Sequence, residues 1–482
     1  MKGEGKYNVV VIGAGTAGLV TAAGTAGLGG RVALIERNKM GGDCLNFGCV
    51  PSKALISSAR LAQRMREAEK WGLRNQEPQF DFKRVMERMR ERRAQIAPHD
   101  SQERFESLGV HVFRGEARFL SPHEVEVTGE GGAQKLRAAN FVIATGSRAR
   151  VPDIEGLNAV PFFTNETIFD ELQHQPKSMI VLGGGPIGCE LGQAFSRLGV
   201  KVTLLQNGEQ LLPPEDRDVG DLMQSLLARE GLDIRLNAKT KRASTCEAGV
   251  CLELASGERI EAEVLLISAG RTPNIGSLNL AAAGVQHDEH GVEVNDYLQT
   301  SQPHIFAAGD VCSRLKFTHT ADFTARTVVR NILMPLSLLR QKVACDTVPW
   351  CTYTDPEVAH VGLGEKQATK DGTAYDLYRV DVSELDRAVV ESEEIGFAKI
   401  LTRKGSDEIL GVTIVSANAG ELIHEFVVAM NAGVGLGKIA GMIHAYPTFA
   451  ELARKAGDKY NKTRLTPFAK KLFAWLYRRA RA

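Results

Sequence analysis

Apolar positions in this chain fall into short β-branched runs that stop abruptly at glycine, and one such arrangement occurs twice. Tyr7 to Ile12 (YNVVVI) reads as a buried strand, Gly13-Ala14-Gly15-Thr16-Ala17-Gly18 as a tight turn, and the Ala- and Leu-rich residues after it as a helix. A second strand runs from Arg31 to Ile35 and ends in Glu36. The order returns 170 residues later: Ser178 to Leu182 (SMIVL), Gly183-Gly184-Gly185-Pro186-Ile187-Gly188, a helix through Leu198, and a strand from Lys201 to Leu205. One G-x-G-x-x-G is weak evidence, but two copies, each between a strand and a helix, specify a pair of dinucleotide-binding turns. Glycines admit the tight turn and let backbone amides approach a pyrophosphate at the helix N-terminus, so Gly13, Gly15, Gly18 and Gly183, Gly185, Gly188 are candidate contacts. Glu36 stands where a carboxylate accepts from a ribose 2′-hydroxyl. Gln206 stands at the same place in the second copy, with neither a carboxylate nor a guanidinium.

Three further apolar runs end in glycine motifs. Phe141 to Ala144 leads into Thr145-Gly146-Ser147, Val264 to Ser268 into Ala269-Gly270-Arg271-Thr272-Pro273-Asn274, and Ile305 to Ala307 into Ala308-Gly309-Asp310. Strand ends of this kind are where α/β sheets receive ligands. Arg60 to Gln102 is helical in period and densely charged. Its interleaved Glu residues make it a solvated amphipathic helix rather than a basic binding face. From Asp346 the texture changes to alternating strands, glycines and helices, closing near Lys459. The chain is therefore expected to be an α/β protein with two dinucleotide-binding domains and a C-terminal α+β domain. The boundaries read as 1–150 for the first dinucleotide domain, 151–271 for the second, 272–345 for a return to the first, 346–460 for the α+β domain and 461–482 for a separate tail.

Composition narrows the classes. At 482 residues the chain exceeds one core. Its 59 basic and 58 acidic residues leave a net charge of +1, so no bulk electrostatic case for nucleic acid exists. Eight cysteines are too few for a secreted disulfide scaffold. Met1 to Lys6 run into a strand without an apolar leader, and no apolar run is long enough to span a bilayer. A cytoplasmic location follows as the expectation.

Two of the cysteines carry the strongest chemical signal, in Gly41-Gly42-Asp43-Cys44-Leu45-Asn46-Phe47-Gly48-Cys49-Val50-Pro51-Ser52-Lys53. A C-x4-C reads as a redox disulfide, half a metal site, or a coincidence of structural cysteines. No second close pair of Cys or His completes a metal shell, and no metal is expected. Pro51 suits a first helical turn. Cys49 would then lie at the positive end of a helix with Lys53 one turn on, and both effects stabilise a thiolate. The reading is a catalytic disulfide.

With these motifs together, the chain resembles the flavin-dependent pyridine nucleotide–disulfide oxidoreductases, over roughly residues 6 to 460. It is most similar to their mercuric reductase branch and related to dihydrolipoyl dehydrogenase. The resemblance implies two Rossmann-type domains for FAD and NAD(P) and a C-terminal dimerisation domain. It places Gly13, Gly15, Gly18 and Glu36 on the ADP half of FAD, and Thr145, Gly146, Ser147 and Asp310 on the flavin side. Gly183, Gly185, Gly188 and Gln206 fall on the nicotinamide dinucleotide, with Arg271 near it. Lys53 would lie by the flavin and pair with Glu190. Cys49 would be the thiolate against the flavin, and Cys44 the exposed thiol that meets substrate. A homodimer completes each active site from the partner subunit.

Two departures from the family shape the functional expectation. Where disulfide-reducing members carry His-Pro-Thr followed by Glu, this chain has His444-Ala445-Tyr446-Pro447-Thr448-Phe449-Ala450-Glu451. Tyr446, a phenol of ordinary pKa ~10, is a poor thiol base, and His444 lies two residues early. Against mercury, no cysteine follows Cys351, and no metal-capture domain is expected before the first strand. Soft Hg(II) would have only Cys44 and Cys49. The expected function is an FAD-dependent NAD(P)H oxidoreductase acting on a sulfur or soft-metal substrate, with a slight lean to NADH. The alternatives are a dihydrolipoyl dehydrogenase and a membrane-associated electron-transfer flavoprotein. The last rests on the tail, where Thr466-Pro467 opens a basic amphipathic helix through Arg481 that reads as interfacial, on a membrane surface, or as docked on a partner or its own dimer.

Overall fold

The computed structural model describes residues 6–334, 336–344 and 346–481. Met1–Gly5, the expected boundary residue Cys345 and the last residue Ala482 lie outside the described residues. The chain divides into two compact units. The first comprises the chain up to Ala59, Gln79–Asn207 and Asn237–Ala344; the second comprises Arg60–Pro78, Gly208–Leu236 and the chain from Asp346.

In the first unit, five strands lie parallel in the order His111–Arg114, Val32–Glu36, Tyr7–Ile12, the end of Gly132–Ile143, and Ile305–Ala307. Except in the partly exposed edge strand His111–Arg114, their apolar, β-branched residues are buried on both faces, as a covered parallel sheet requires. The start of Gly132–Ile143 instead pairs antiparallel with Glu124–Gly129, which pairs with Glu116–Ser121. A second parallel sheet holds Lys201–Leu205, Ser178–Leu182 and Val264–Ile267. Leu182, Leu205 and Ile267 join its own apolar core, together with the antiparallel strands Thr240–Cys246, Gly249–Leu254 and Arg259–Ala262.

The second unit is built on one antiparallel sheet, ordered Trp350–Thr352, Glu357–Gly362, Ile409–Ser416, Phe397–Arg403, Tyr375–Asp381. Helices Ala419–Asn431 and Glu451–Thr463 bury Ile423, Phe426, Leu452 and Ala456 in its core.

One sequence expectation needs correction. The segment 60–102 is not continuously helical: helix Cys49–Arg66 gives way to the short 3-10 turn Ala68–Trp71, then to irregular chain up to Asp81, before helix Phe82–Ile96. Residues 208–236 fall in the second compact unit. There the Nζ of the fully buried Lys399 donates to Asp216 (2.7 Å), Asp218 (2.8 Å) and Glu365 (2.8 Å). Burial works against that charge, but the three carboxylates outweigh it and hold the ammonium above the ordinary lysine value. Residues 60–78 join the same unit through Arg64–Glu393 and the Trp71 indole N–H donating to the Glu391 carbonyl.

Candidate active site

The two glycine turns have one backbone in two places. Gly13 and Gly183 adopt positive φ, at 103° and 120°. Gly15 and Gly185 cap twelve-residue helices, Thr16–Gly27 and Pro186–Arg197, with no side-chain cap, which leaves the first amides of each helix to a ligand. A Cβ on Gly18 would lie 1.8 Å from the Gly13 carbonyl oxygen, and one on Gly188 would lie 1.9 Å from that of Gly183. Glycine is therefore a steric requirement at both. The side chain ending the second strand braces each turn. Glu36 Oε2 accepts from the Ala14 N–H at 2.7 Å, and Gln206 Oε1 accepts from the Gly184 N–H at 3.0 Å. Glu36 Oε1 also accepts from Asn38 N–H at 2.6 Å. A carboxylate has about four acceptor sites, so Glu36 retains capacity for a ribose hydroxyl. Gln206 has its carbonyl committed to Gly184, so its amide is what it can offer. These open, uncapped glycine cradles fit dinucleotide pyrophosphates.

The cysteine loop lies directly on the first turn. Gly41 N–H donates to the Ala14 carbonyl at 2.9 Å, and a Cβ on Gly42 would come within 2.5 Å of the Gly15 Cα. Cys44 falls in the short helix Gly42–Asn46, and Cys49 opens helix Cys49–Arg66, whose N-terminal dipole favours an anion there. Cys49 Sγ lies 3.5 Å from the Thr318 hydroxyl, at the start of helix Thr318–Leu333. The two thiols are driven apart. Hydrogen bonding to Cys49, then burial, pushes Cys44 above the ordinary thiol range. The hydrogen bond from Cys44, followed by those from Thr318 and the charge of Lys53, brings Cys49 down to about 6 against the opposing effect of burial. Cys49 is exposed and Cys44 half-buried.

Lys53 and Glu190 meet, with Nζ to Oε2 at 2.7 Å and Glu190 buried. Ser147, Arg271 and Asp310 form one network. Ser147 Oγ donates to Asp310 Oδ2 (2.6 Å), and Arg271 donates to Ser147 Oγ (2.7 Å) and to the Ser147 carbonyl (3.0 Å). Arg271 also pairs with Asp43 (3.1 Å), the residue before Cys44. Thr145 Oγ1 donates to the Asn274 carbonyl and Asn274 Nδ2 to the Thr145 carbonyl, while Gly146 turns through φ 67°. Arg271 thus belongs with the residues expected on the flavin side and with the cysteine loop. Sequence reasoning missed Thr318, Asp43 and Lys316, whose Nζ donates to the Asp310 carbonyl at 2.8 Å. Asp43 stood inside the cysteine motif; no spacing rule points to the other two.

In the second unit, the exposed Tyr446 donates its hydroxyl to Asp386 at 2.8 Å. That hydrogen bond and the Asp386 charge raise the phenol above its usual value. His444 has both ring nitrogens against acceptors, Nδ1 to the Met442 carbonyl at 3.1 Å and Nε2 to Glu425 at 2.9 Å. The buried Glu451 takes a hydrogen bond from Arg454 at 2.8 Å. Among the described residues no group of three or more His, Cys, Asp or Glu could hold a metal ion.

Residues 7–325 match the family model described as pyridine nucleotide-disulphide oxidoreductase, and 348–456 match its dimerisation domain. The chain belongs to the pyridine nucleotide-disulphide oxidoreductases. Members of this family use FAD and NAD(P)H, and the dimerisation domain supports a homodimer. A mercuric reductase of Lysinibacillus sphaericus is 33% identical over 95% of this chain and 83% of that relative. A dihydrolipoyl dehydrogenase of Geobacillus stearothermophilus is 32% identical over 93% of this chain and 95% of that protein. Among solved structures, the Cu(II) complex of the HOCl-induced flavoprotein disulfide reductase RclA from Escherichia coli superposes with a TM-score of 0.85 at 28% identity, covering 94% of this chain and 99% of that one. The protein is thus an FAD-dependent oxidoreductase of the pyridine nucleotide–disulphide class.

Proposed function

We propose that this oxidoreductase uses Cys44 and Cys49 as a redox disulfide, takes its electrons from NAD(P)H, and delivers them to a sulfur or soft-metal substrate other than lipoamide. The observation that carries the reading is the divided thiol pair: Cys49 is held as a thiolate near neutrality by Cys44, Thr318 and a helix N-terminus, while Cys44 keeps its proton. Bound FAD supplies two-electron transfer between the nicotinamide and the cysteines. The exposed face of Cys49 suits a cofactor lying against it, and Gly13, Gly15, Gly18 and Glu36 would hold the adenosine end. Gly183, Gly185, Gly188 and Gln206 would receive the exchanging nucleotide.

The cysteine step balances as follows. The hydride of NAD(P)H brings two electrons and one proton, and the Cys44–Cys49 S–S bond breaks to a Cys44 thiol and a Cys49 thiolate. Reoxidation reforms that bond and passes two electrons to a substrate disulfide, whose own S–S bond breaks with proton uptake, or to a soft metal ion such as Hg(II). Lys53, paired with Glu190, places a fixed positive charge beside the thiolate.

The second unit argues against lipoamide. Substrate thiols need a base of suitable pKa, and the Tyr446 phenol is pushed the wrong way by Asp386. His444 offers neither ring nitrogen freely, being bound to Met442 and Glu425. The test is anaerobic titration with NADH and NADPH, followed by turnover on disulfides, lipoamide, Hg(II) and quinones. Lipoamide turnover should be poor, and Tyr446→His should raise it, by up to the ~10²–10⁴ that a positioned acid–base group supplies. Brisk wild-type turnover, kept in Tyr446→Phe and lost in His444→Ala, would instead make the protein a dihydrolipoyl dehydrogenase.

A further inference from the structure

The last helix, Pro467–Arg479, buries no residue. Thr466 caps it by accepting from the Ala469 N–H at 3.2 Å, so it is a properly started helix and not a frayed end. On a helical wheel Phe468, Leu472, Trp475 and Leu476 fall within one arc, extended on one side by Phe473 and Tyr477. All are exposed, Phe468 at 76%, Trp475 at 52% and Tyr477 at 71%. The opposite arc carries Lys470, Lys471, Arg478 and Arg481. Arg479 lies among the apolar positions, and its guanidinium stacks over the Trp475 ring, 5.6 Å from the centroid, so one cation borders the apolar arc itself.

The charge distribution distinguishes this segment from the other amphipathic helices. Residues 462–482 hold seven Lys or Arg and no Asp or Glu, while the remaining 461 residues have 52 basic against 58 acidic and so carry −6. Helix Phe82–Ile96 is also rich in arginine, but it buries Phe82, Met86 and Met89, and its Arg84 pairs with Glu91. Helix Glu451–Thr463 buries its apolar side in the core of the second unit. Among the described residues, none of the cations of the tail has a carboxylate within ion-pair distance. An uncovered apolar arc of Phe, Leu, Trp and Tyr, backed by unneutralised cations, is complementary to a surface that offers both hydrocarbon and negative charge. Two copies of this helix would repel each other.

We infer that residues 462–481 form an interfacial helix that binds the surface of a bilayer bearing anionic lipid headgroups. Thirteen helical residues are about 20 Å long, so the helix lies along the surface and does not cross it. No helix of the described residues is long and apolar enough to cross a membrane. Phe468, Leu472 and Leu476 enter the acyl boundary, Trp475 and Tyr477 sit at headgroup level, and the lysines and arginines meet the phosphates. A flavoenzyme held in this way meets membrane-dissolved oxidants at a raised local concentration.

The test is flotation of the full-length holoenzyme with vesicles of phosphatidylcholine alone and with vesicles of equal parts phosphatidylcholine and phosphatidylglycerol. The enzyme should float with the anionic vesicles at least ~10-fold more than with the neutral ones, and lose that binding in high salt. Leu472→Glu/Trp475→Glu and Lys470→Glu/Lys471→Glu should each abolish flotation while leaving flavin content and nicotinamide oxidation at wild-type levels. Absence of flotation, or flotation untouched by both variants, overturns the inference. So does a wild-type dimer that falls to monomer in Leu472→Glu/Trp475→Glu by sedimentation, which would make this face a contact between subunits.

Discussion

At the first glycine turn, Gly42 of the cysteine loop packs so tightly that a Cβ there would lie 2.5 Å from the Gly15 Cα. A Cβ on Gly15 itself would lie 3.7 Å from the Gly42 Cα, whereas at the second turn one on its counterpart Gly185 would meet nothing within 4 Å. The same local backbone thus serves two purposes. On the proposed function, the enclosed copy would tie its ligand to the thiols that exchange electrons with it. The open copy would offer its uncapped helix N-terminus to a nucleotide that has to leave after each turnover. The difference lies in what covers the turn, since strand, glycine and helix keep the same spacing in both.

The largest effects come from the third glycine of each turn, where any Cβ collides with a carbonyl oxygen. Gly18→Ala should purify with little flavin, its affinity for FAD reduced by ~100-fold or more. Gly188→Ala should keep its flavin and lose reduction by nicotinamide to a similar degree. Visible flavin absorbance per protein after gel filtration, with the rate of anaerobic reduction, reads both. Loss of flavin from Gly188→Ala would mean that the two turns are not independent sites.

The coverings differ next. Gly42→Ala meets backbone at a φ of 58°, which side chains adopt reluctantly, and should cost about 1–3 kcal/mol of stability in denaturant unfolding. Gly185→Ala should unfold like the wild type, while its nicotinamide KM rises ~10-fold because the methyl intrudes on the pyrophosphate. Equal destabilisation in both would remove the contrast between a closed and an open turn.

The covered turn also sets a titration. Since Cys49 lies at about 6, its thiolate is present above that pH and is lost as pH falls through it. The long-wavelength charge-transfer absorbance of the two-electron-reduced enzyme should follow the same midpoint. It should vanish in Cys49→Ser and arise without reductant in Cys44→Ser. Thr318→Val removes a hydrogen bond to the thiolate and should move the midpoint up by ~1 unit. An unmoved midpoint would reduce Thr318 to a packing role.

How far the sequence discloses this molecule depends on range. Strand, turn and helix follow each other within twenty residues, so both dinucleotide folds and Glu36 at its strand end are legible from periodicity alone. The strand Gly132–Ile143 was visible only at its buried end, Phe141 onward, because its first half faces solvent and carries no apolar run. Asp216 is held by Lys399, 183 positions away, and no local pattern announces that pairing. Thr318 stands 269 positions from Cys49, and nothing local marks a hydroxyl there as a partner for sulfur.

The smallest expected effect concerns the side chains that brace the two turns. Glu36 and Gln206 hold the middle residue of each turn by the same hydrogen bond, 2.7 Å to Ala14 and 3.0 Å to Gly184, so a swap of acid and amide preserves the brace and changes only the charge offered outward. Glu36→Gln should weaken FAD by about 1 kcal/mol, the worth of one charge-assisted hydrogen bond beyond a neutral one. Gln206→Glu puts a carboxylate where the 2′-phosphate of NADPH would lie and leaves a hydroxyl acceptor for NADH. Its kcat/KM for NADPH should fall ~10-fold while that for NADH stays within about twofold, a change of ~1.4 kcal/mol in discrimination. Steady-state rates with both nucleotides measure this directly. A wild type that prefers NADPH by more than ~100-fold, or a Gln206→Glu variant that discriminates no better than the wild type, would show that Gln206 braces its turn without reading the ribose.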